Sequence, residues 1–338
     1  MKMRKPIALS LMLLCSMGLV AGCGTKDTPA TAAGKYPDKA ITLIVPFAPG
    51  GSNDVMSRAL GKVAHNHLGQ NIIIKNLPGA GGVLGWNELV ESQDDGYTLG
   101  TITTTVLLQP LYGTTGYHYP SAIDPLVQIV ELPAVVLVRS DSAWSNINDL
   151  IDYAKQHPGD IKFGHGGLGA ATHVVGEMIA NKGNISLTQV PFKGEAEALA
   201  ALLGGHVQFI ITSPIPISEH VKSGKTKVLG IADIKRVNNP LLSDIPTLQE
   251  QGLDVVFTFW YGIGIHKGMP PEIKDKLLAG LEKTVNDPEY IENMRKLGME
   301  VNYLGHEEFF QKWLKETRRL TKVVKESGIA EKIAEQKK

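Results

Sequence analysis

The sequence has little cysteine, because among its 338 residues only Cys15 and Cys23 carry a thiol. It also lacks a hydrophobic run long enough to span a bilayer, which needs about 20 residues. The apolar stretch Ile7–Val20 is shorter than that and follows basic residues at positions 2–5, a pattern typical of a signal peptide. Removal of that peptide leaves Cys23 without a partner cysteine, which excludes a fold held by intrachain disulfides.

The signal-like segment ends in LVAGC at residues 19–23, which resembles the lipobox of bacterial lipoproteins. We expect cleavage after residue 22 and acylation of the Cys23 thiol; a plain secretory signal followed by a chance cysteine is the open alternative. Residues 23–39 are small and polar, so they bury too little apolar surface to offset the entropy of ordering. We interpret them as a tether, and expect the protein to be extracytoplasmic, lipid-anchored on the periplasmic or outer face of the cell membrane.

An excess of charge of either sign is missing as well, since Lys+Arg and Asp+Glu both number 34. This balance argues against a nucleic acid as partner, because phosphate binding needs a basic excess. It also means that any selectivity for an anion has to come from local geometry and not from a global field. The body of the chain, from about residue 40 to residue 338, is long enough for two lobes.

The body repeats the order strand, turn, helix, which predicts an α/β fold with doubly wound, mostly parallel sheets. Buried strands are predicted in one series at 41–46, 71–75 and 97–103, and in a second series at 135–138, 161–164, 187–192, 207–212 and 227–232. We expect residues 40–138 plus 256–338 to form lobe 1 and residues 139–255 to form lobe 2. The chain then crosses twice between the lobes, which creates a hinge.

Two glycine-rich turns follow the first two predicted strands. The first turn reads FAPGGSND at residues 47–54, and the second turn reads NLPGAGG at residues 76–82. Both fall at the carboxyl edge of a parallel sheet, where free N–H groups and the dipole of the next helix attract a carboxylate. We predict that the two turns hold one carboxylate between them; tight connections without a ligand are the alternative. Asp54 could either stabilise the helix dipole or receive a ligand amine or hydroxyl.

The third turn, GHGGLG at residues 164–169, matches the dinucleotide-binding pattern G-x-G-x-x-G. A ribose site needs an acidic residue at the end of the next strand, but that strand ends in PFKG at residues 191–194, with Glu195 displaced past the glycine. Lys193 at this edge favours an anion instead. The sequence therefore predicts neither a dinucleotide site nor any other cofactor.

In their order along the chain, these segments resemble the substrate-binding receptors of tripartite tricarboxylate transporters, the Bug family. The resemblance lies in APGGSND at 48–54, NLPGAGG at 76–82, DGYTL at 95–99, the glycine-rich segment that ends in a histidine at 164–173, VPFKG at 190–194, LLGG at 202–205, IPTLQE at 245–250 and WYG at 260–262. It covers nearly the whole mature chain.

The resemblance implies a periplasmic-binding-protein fold of type II, a Venus flytrap that binds a small organic carboxylate for a transporter with large and small membrane subunits. Carried over position by position, it implies that the carboxylate is held by Gly50, Gly51, Ser52, Ala80, Gly81 and Gly82. The far end of the ligand, or closure of the lobes, is then assigned to Gly167, Ala170, Thr172, His173, Lys193 and Trp260. Phe47 and Asp54 of the first turn complete the predicted ligand-binding set.

The sequence departs from the family pattern at four positions of lobe 2, one of which is Gln208 in place of a frequent aspartate. Ala170 stands where a serine is usual, His165 replaces a small residue, and Glu195 stands where Ser, Gly or Ala is common. A distal anion is then left with Lys193 and a protonated His165, and Glu195 could neutralise that lysine. Because no arginine lies in the three turns, a mono- or dicarboxylate is favoured over a compact tricarboxylate.

Other classes of function lack their residue patterns. The ten histidines form no H-E-x-x-H motif or His/Cys cluster, so no metal site is predicted. No G-x-S-x-G elbow or triad order is present, so we do not expect an enzyme. A lipoprotein that senses a ligand for a signalling partner stays open as an alternative, since it also needs only closure on a ligand.

Overall fold

A computed structural model of the protein describes residues 36–113, 115–239 and 241–335. The predicted signal peptide, the lipidation site Cys23 and most of the tether lie outside these residues. The described strands are β1 (Ile41–Val45), β2 (Ile72–Asn76), β3 (Thr98–Thr103), β4 (Ile123–Arg139), β5 (Lys162–His165), β6 (Thr188–Pro191), β7 (Phe209–Thr212), β8 (Thr226–Ala232) and β9 (Thr258–His266).

The helices alternate with these strands and cover the sheet. They are α1 (Ser52–Val63), α2 (His65–Leu68), α3 (Val83–Val90), α4 (Thr104–Leu108), α5 (Tyr119–Ala122), α6 (Ile147–Gln156), α7 (Ala171–Gly183), α8 (Glu195–Leu203), α9 (Ser218–Lys222), α10 (Pro271–Val285), α11 (Pro288–Lys296), α12 (His306–Ser327) and α13 (Ile329–Glu335), with 3-10 turns at Ala80–Gly82 and Gln109–Tyr112. Among the described residues, no helix is both long and apolar enough to cross a membrane.

The strands form two lobes with the same topology. The order is β2-β1-β3-β9-β4 in the first lobe and β6-β5-β7-β4-β8 in the second lobe. In each lobe the first three strands are parallel, and the strand beside them arrives antiparallel from the other lobe. The prediction of a two-lobed α/β fold is therefore confirmed, although antiparallel pairs make up the sheet where the lobes meet.

Strand β4 belongs to both lobes. It pairs with β9 from Ile123 to Pro133, and beyond that point it pairs with β7 and β8. The sequence predicted only its last part, 135–138, because proline removes a ladder donor and weakens a strand prediction. The strand accommodates Pro125 beside an irregularity in its register with β9, so the strand continues through it.

The C-terminal helices close the first lobe. In α12, Phe309, Trp313 and Leu320 are fully buried. Trp313 packs against Trp260 of β9, with ring centroids 5.9 Å apart. These residues of α12 are thus part of the core. Helices α10 and α11 were not predicted from the sequence. They pack on α2 and α1, respectively.

The first described residues already belong to the body. Tyr36 is only 6% exposed, and its hydroxyl donates to the carbonyl of Gly96 at 2.7 Å. The Tyr97 hydroxyl donates to the carboxylate of Asp38 at 2.6 Å. Residues 36–39, which the composition assigns to the tether, are therefore fixed on the first lobe.

Candidate functional site

A cavity lies between the two lobes, at the carboxyl ends of β1, β3 and β5. The volume of this cavity is about 50 Å³. The lining residues are Phe47, Gly51, Ser52, Asn53, Thr103, Thr104, Thr105, Gly166, Ala170, Ala171, Thr172, Gly194, Glu195, Phe259 and Tyr261. Five of the residues predicted from sequence are among them: Phe47, Gly51, Ser52, Ala170 and Thr172.

Asp54 shapes the first turn. Its Oδ2 accepts the Gly50 N–H at 3.0 Å and the Arg58 Nε–H at 2.9 Å, and its Oδ1 accepts from the Asn76 amide at 2.9 Å. Burial by itself would raise the pKa of Asp54, but these hydrogen bonds outweigh it and hold the pKa below its ordinary value. Of the two roles left open for Asp54, the structure supports the structural one, because its oxygens are already occupied.

The start of α1 holds a carboxylate from the other lobe. The Ser52 N–H donates to Oε2 of Glu195 at 3.1 Å, and the Ser52 hydroxyl makes a short hydrogen bond to the same oxygen. The other oxygen, Oε1, accepts from the Ser213 N–H at 2.9 Å and from the Thr212 hydroxyl at 3.1 Å. Glu195 therefore bridges the lobes with two donors on each side.

Tyr261 completes this polar cluster from β9. Burial, together with the negative charge of Glu195, raises the pKa of Tyr261 well above its ordinary value, although hydrogen bonds with Ser52 and Ser213 oppose the rise. The Ser52 and Ser213 hydroxyl oxygens are themselves 2.6 Å apart. The phenol thus stays neutral and serves as a hydrogen-bonding group in the cavity wall.

Asn53 presents an unused amide to the cavity. Its side chain is only 3% exposed, and neither its nitrogen nor its oxygen has a hydrogen-bond partner among the described residues. A buried polar group without a partner is costly, so such groups are normally satisfied by protein, water or ligand. Asn53 is therefore a strong candidate for ligand recognition, and it was not in the predicted set.

The start of α7 forms the opposite wall. The Thr172 hydroxyl accepts the Gly166 N–H at 2.9 Å, and the Thr105 hydroxyl accepts the Ala171 N–H at 3.0 Å across the lobes. The helix has 13 residues and no side-chain cap at Ala170. The N–H of Ala171 is thereby occupied, whereas the next N–H groups of the helix and its positive dipole end lie at the same cavity as Asn53.

The second turn does not line this cavity. Gln109 donates one amide nitrogen to the carbonyls of Gly81, at 3.3 Å, and Leu168, at 2.9 Å, so it ties the second turn to the third. A Cβ atom on Gly81 would lie 2.7 Å from the Leu168 carbonyl oxygen, and one on Gly167 would lie 2.9 Å from the Gly81 Cα. Ala80, Gly81, Gly82 and Gly167 thus lie at a contact between the lobes, and their role in holding a carboxylate stays a prediction.

The two histidines of the third turn lie in the interior of the second lobe. Their rings stack with centroids 4.2 Å apart, and His173 accepts the Gly169 N–H at 3.1 Å, a capping role. Burial, and next to it the neighbouring His173, lowers the pKa of His165 to about 3. The expectation that a protonated His165 holds a distal anion is therefore wrong, because the ring is neutral at neutral pH and does not line the cavity.

The remaining predicted residues also lie away from the cavity wall. Lys193 is exposed, and its backbone N–H donates to Glu197 at 3.0 Å. The idea that Glu195 neutralises Lys193 is not supported, since the Glu195 carboxylate points to Ser52 and Ser213. Trp260 is fully buried in the core. Because side chains alternate along a strand, its neighbours on β9, Phe259 and Tyr261, face the cavity instead.

The threonines at the end of β3 were not among the predicted site residues, because only glycine-rich turns were taken as signals for the site. Thr103 caps α4, since its hydroxyl accepts the Thr105 N–H at 3.3 Å. A run of threonine directly after a predicted strand is a helix-start signal at the same sheet edge as the first turn, and it could have been used. The approach of Ser213 and Tyr261 to Ser52 depends on how the lobes meet, for which the sequence held no signal.

Comparison with known proteins settles the family. The family profile described as tripartite tricarboxylate transporter family receptor matches residues 56–329. This chain belongs to that family. The protein of the gbd 5′ region of Cupriavidus necator is 32% identical over 93% of both chains. The solved periplasmic binding protein BugD is similar with a TM-score of 0.82 at 30% identity, covering 87% of this chain and 99% of that one.

A second solved structure shows a Rhodopseudomonas palustris protein with adipate. It is 27% identical, with a TM-score of 0.81, and covers 87% of this chain and 98% of that one. These neighbours confirm the periplasmic-binding-protein fold and the resemblance to the Bug family. The chain is therefore an extracytoplasmic solute-binding receptor by family.

Proposed function

We propose that this receptor binds a small organic carboxylate in the cavity between its lobes and delivers it to a tripartite membrane transporter. The observation that carries the proposal is the buried amide of Asn53, which has no partner among the described residues and lies in the cavity wall with the start of α7. This amide and the positive end of the α7 dipole can bind the carboxylate of a ligand. The adipate bound by a similar protein supports the same ligand class.

The lobes proposed to move are residues 40–138 plus 256–338 and residues 139–255. Strand β4 continues from one sheet to the other, and the chain crosses back just ahead of β9, so these two crossings form the hinge. Closure brings Ser52 to Glu195 and the second turn to the third. The contacts of Ser52 with Glu195 and of Gln109 with Leu168 correspond to the closed arrangement.

The attachment and the partners follow from the sequence. Acylation of Cys23 anchors the receptor to the membrane, where the large and small transporter subunits lie. Globomycin, an inhibitor of lipoprotein signal cleavage, tests the anchor: it should retain the unprocessed precursor. A Cys23→Ala variant should be released or processed differently, and unchanged membrane attachment in that variant would contradict the anchor.

A role as a ligand sensor for a signalling partner is the alternative, because it needs the same closure. Deletion of the gene distinguishes the two roles. Loss of uptake of the identified solute supports transport, whereas unchanged uptake together with a lost transcriptional response supports sensing.

The ligand class is tested by a thermal-shift screen of mono-, di- and tricarboxylates, with uncharged solutes of equal size as controls. A carboxylate at a hundredfold its dissociation constant should add roughly 2.7 kcal/mol to the free energy of unfolding. The hit should be verified by calorimetric titration. A screen in which no carboxylate binds, or in which only uncharged solutes bind, contradicts the proposed function.

A further inference from the structure

The cavity wall carries a single charge. Among the described residues that line it, Glu195 is the one with a carboxylate or a basic side chain, and the others are apolar, hydroxyl or amide groups. No lysine, arginine or histidine of the described residues forms an ion pair with Glu195, in contrast to Asp54, which pairs with Arg58, and Glu177, which pairs with Lys332. The cleft therefore presents one carboxylate whose charge only hydrogen-bond donors offset.

Glu195 is held in place by its own lobe. The Ser213 N–H and the Thr212 hydroxyl both bind Oε1, and both belong to the same lobe as α8. Glu195 is also the first residue of α8, so its backbone position is fixed by that helix. Two of the four donors to Glu195 therefore come from its own lobe and do not depend on how the lobes meet.

Other donors remain available for a ligand. The amide of Asn53 is buried and unpartnered, and it lies in the wall of the same cavity as the start of α7. Together they provide a place for one further anionic group. A second anionic group would then approach Glu195, in a cavity wall without a cation to separate the two charges.

We propose that Glu195 is the specificity-determining residue of this cleft: it fills one anion position permanently, so the receptor binds monocarboxylates and discriminates against dicarboxylates of the same length. This inference rests on the proposed function. It also predicts the preferred far end of the ligand. An ammonium group or another N–H donor is attracted by Glu195, so an ω-amino acid should bind at least as well as the plain monocarboxylate.

The test uses three matched series with three to eight carbons: straight-chain monocarboxylates, dicarboxylates and ω-amino acids. Dissociation constants are measured by calorimetry on the mature chain, its Glu195→Gln variant and its Glu197→Gln variant. The glutamine side chain is nearly isosteric with that of glutamate and keeps an acceptor oxygen, but it removes the charge. The exposed Glu197, two residues further along α8, is the matched control.

The wild-type chain should bind monocarboxylates or ω-amino acids at least tenfold more tightly than the dicarboxylate of equal length. Glu195→Gln should reduce this ratio at least tenfold, while Glu197→Gln should leave it unchanged. Because the readout is a ratio, a general loss of affinity from altered folding does not imitate the result.

Three results would overturn the proposal. The first is that the wild-type chain binds dicarboxylates as tightly as monocarboxylates; this result can be obtained without any variant. The second is an unchanged ratio in Glu195→Gln, as expected if the ligand simply displaces Glu195 and all carboxylates gain equally. In both cases carboxylates still bind, so the proposed function survives. The third, no binding by any member of the three series, removes the carboxylate ligand and this inference together.

Discussion

The first and second glycine-rich turns have the same place in the sheet and a similar composition, yet the structure uses them differently. The first turn starts α1 beside the cavity, and Ser52 donates to a carboxylate. The second turn lies against Leu168 and Gln109, where it contacts the third turn of the other lobe. A glycine turn at the carboxyl edge therefore does not define an anion site by itself; the group that faces it from the opposite lobe decides its role.

The largest effect should come from Gly81→Val, which breaks the contact between the second and third turns. The added side chain would start from a Cβ atom 2.7 Å from the Leu168 carbonyl oxygen and closer still to the Gln109 amide nitrogen, at a positive φ of 64°. We expect closure to fail and ligand affinity to fall more than a hundredfold, while the chain stays folded. Calorimetric titration and the radius of gyration from small-angle scattering, with and without ligand, measure this.

Two variants separate blocked closure from other effects. Gly69→Val places the same side chain at a similar positive φ of 74° with open space around it, so it controls for backbone strain. Gly51→Ala lies in the first turn at ordinary φ, and its Cβ would be 3.8 Å from Glu195, so affinity should change less than about threefold. Normal affinity in Gly81→Val would show that the second turn has no part in closure.

The next effect is a pH dependence of the free energy of unfolding, which arises from His165 in the third turn. The folded protein holds His165 neutral, with its pKa lowered from 6.5 to about 3, so the unfolded chain binds the proton first as the pH falls. Stability is therefore complete above pH 6.5 and is lost as the pH falls toward 3. Between pH 7.5 and pH 5.0 the loss should be about 2 kcal/mol, at about 1.4 kcal/mol per pH unit below 6.5.

Urea unfolding at the two pH values measures this loss in the wild type, in His165→Gln and in His65→Gln, an exposed control. The loss should shrink in His165→Gln and persist in His65→Gln. The pKa values of Asp54 and Glu177 are lowered in the folded protein. Their contribution to its stability is therefore lost only below their ordinary pKa values of 3.8 and 4.5, outside this window. An equal loss in all three proteins would contradict a neutral, buried His165.

The smallest effect separates ligand recognition from folding within the first turn. Asn53→Ala removes an amide that has no partner among the described residues, so the free energy of unfolding should change by less than about 1 kcal/mol without ligand. Ligand affinity should fall about tenfold, the value of one lost hydrogen bond of about 1.4 kcal/mol. The exposed Asn286→Ala serves as control, and an unchanged affinity in Asn53→Ala would remove Asn53 from the site.

The sequence predicted the fold well because its signals are local. Buried β-branched runs gave β1 and β2, whose predicted bounds of 41–46 and 71–75 lie within one residue of the observed ones. The long strand β4 was only partly predicted, since its prolines contradict a strand while its pairing with β9 is set by distant residues. Residues that pair across the whole chain leave no periodic pattern in a single segment.

The site was predicted less completely, because several of its contacts join residues of different lobes. Gly51 and Ser52 were found because a glycine turn before a helix has a local meaning. Glu195 was noticed only as a departure from the family pattern. Its contact with Ser52 was not predicted, because the two residues lie 143 positions apart in the sequence. Trp260 was chosen although Phe259 and Tyr261 line the cavity, because strand alternation could be assigned only once β9 was known.

The central claim is that the solute lies between the lobes at the start of α1 and α7, and a crystal structure with the best carboxylate from the screen tests it most directly. We predict the ligand carboxylate within about 3 Å of the Asn53 amide and the first N–H groups of α7, with Glu195 still bound to Ser213. A ligand bound in the hollow beside Lys332 and Asn181, or elsewhere outside this cleft, would contradict the account.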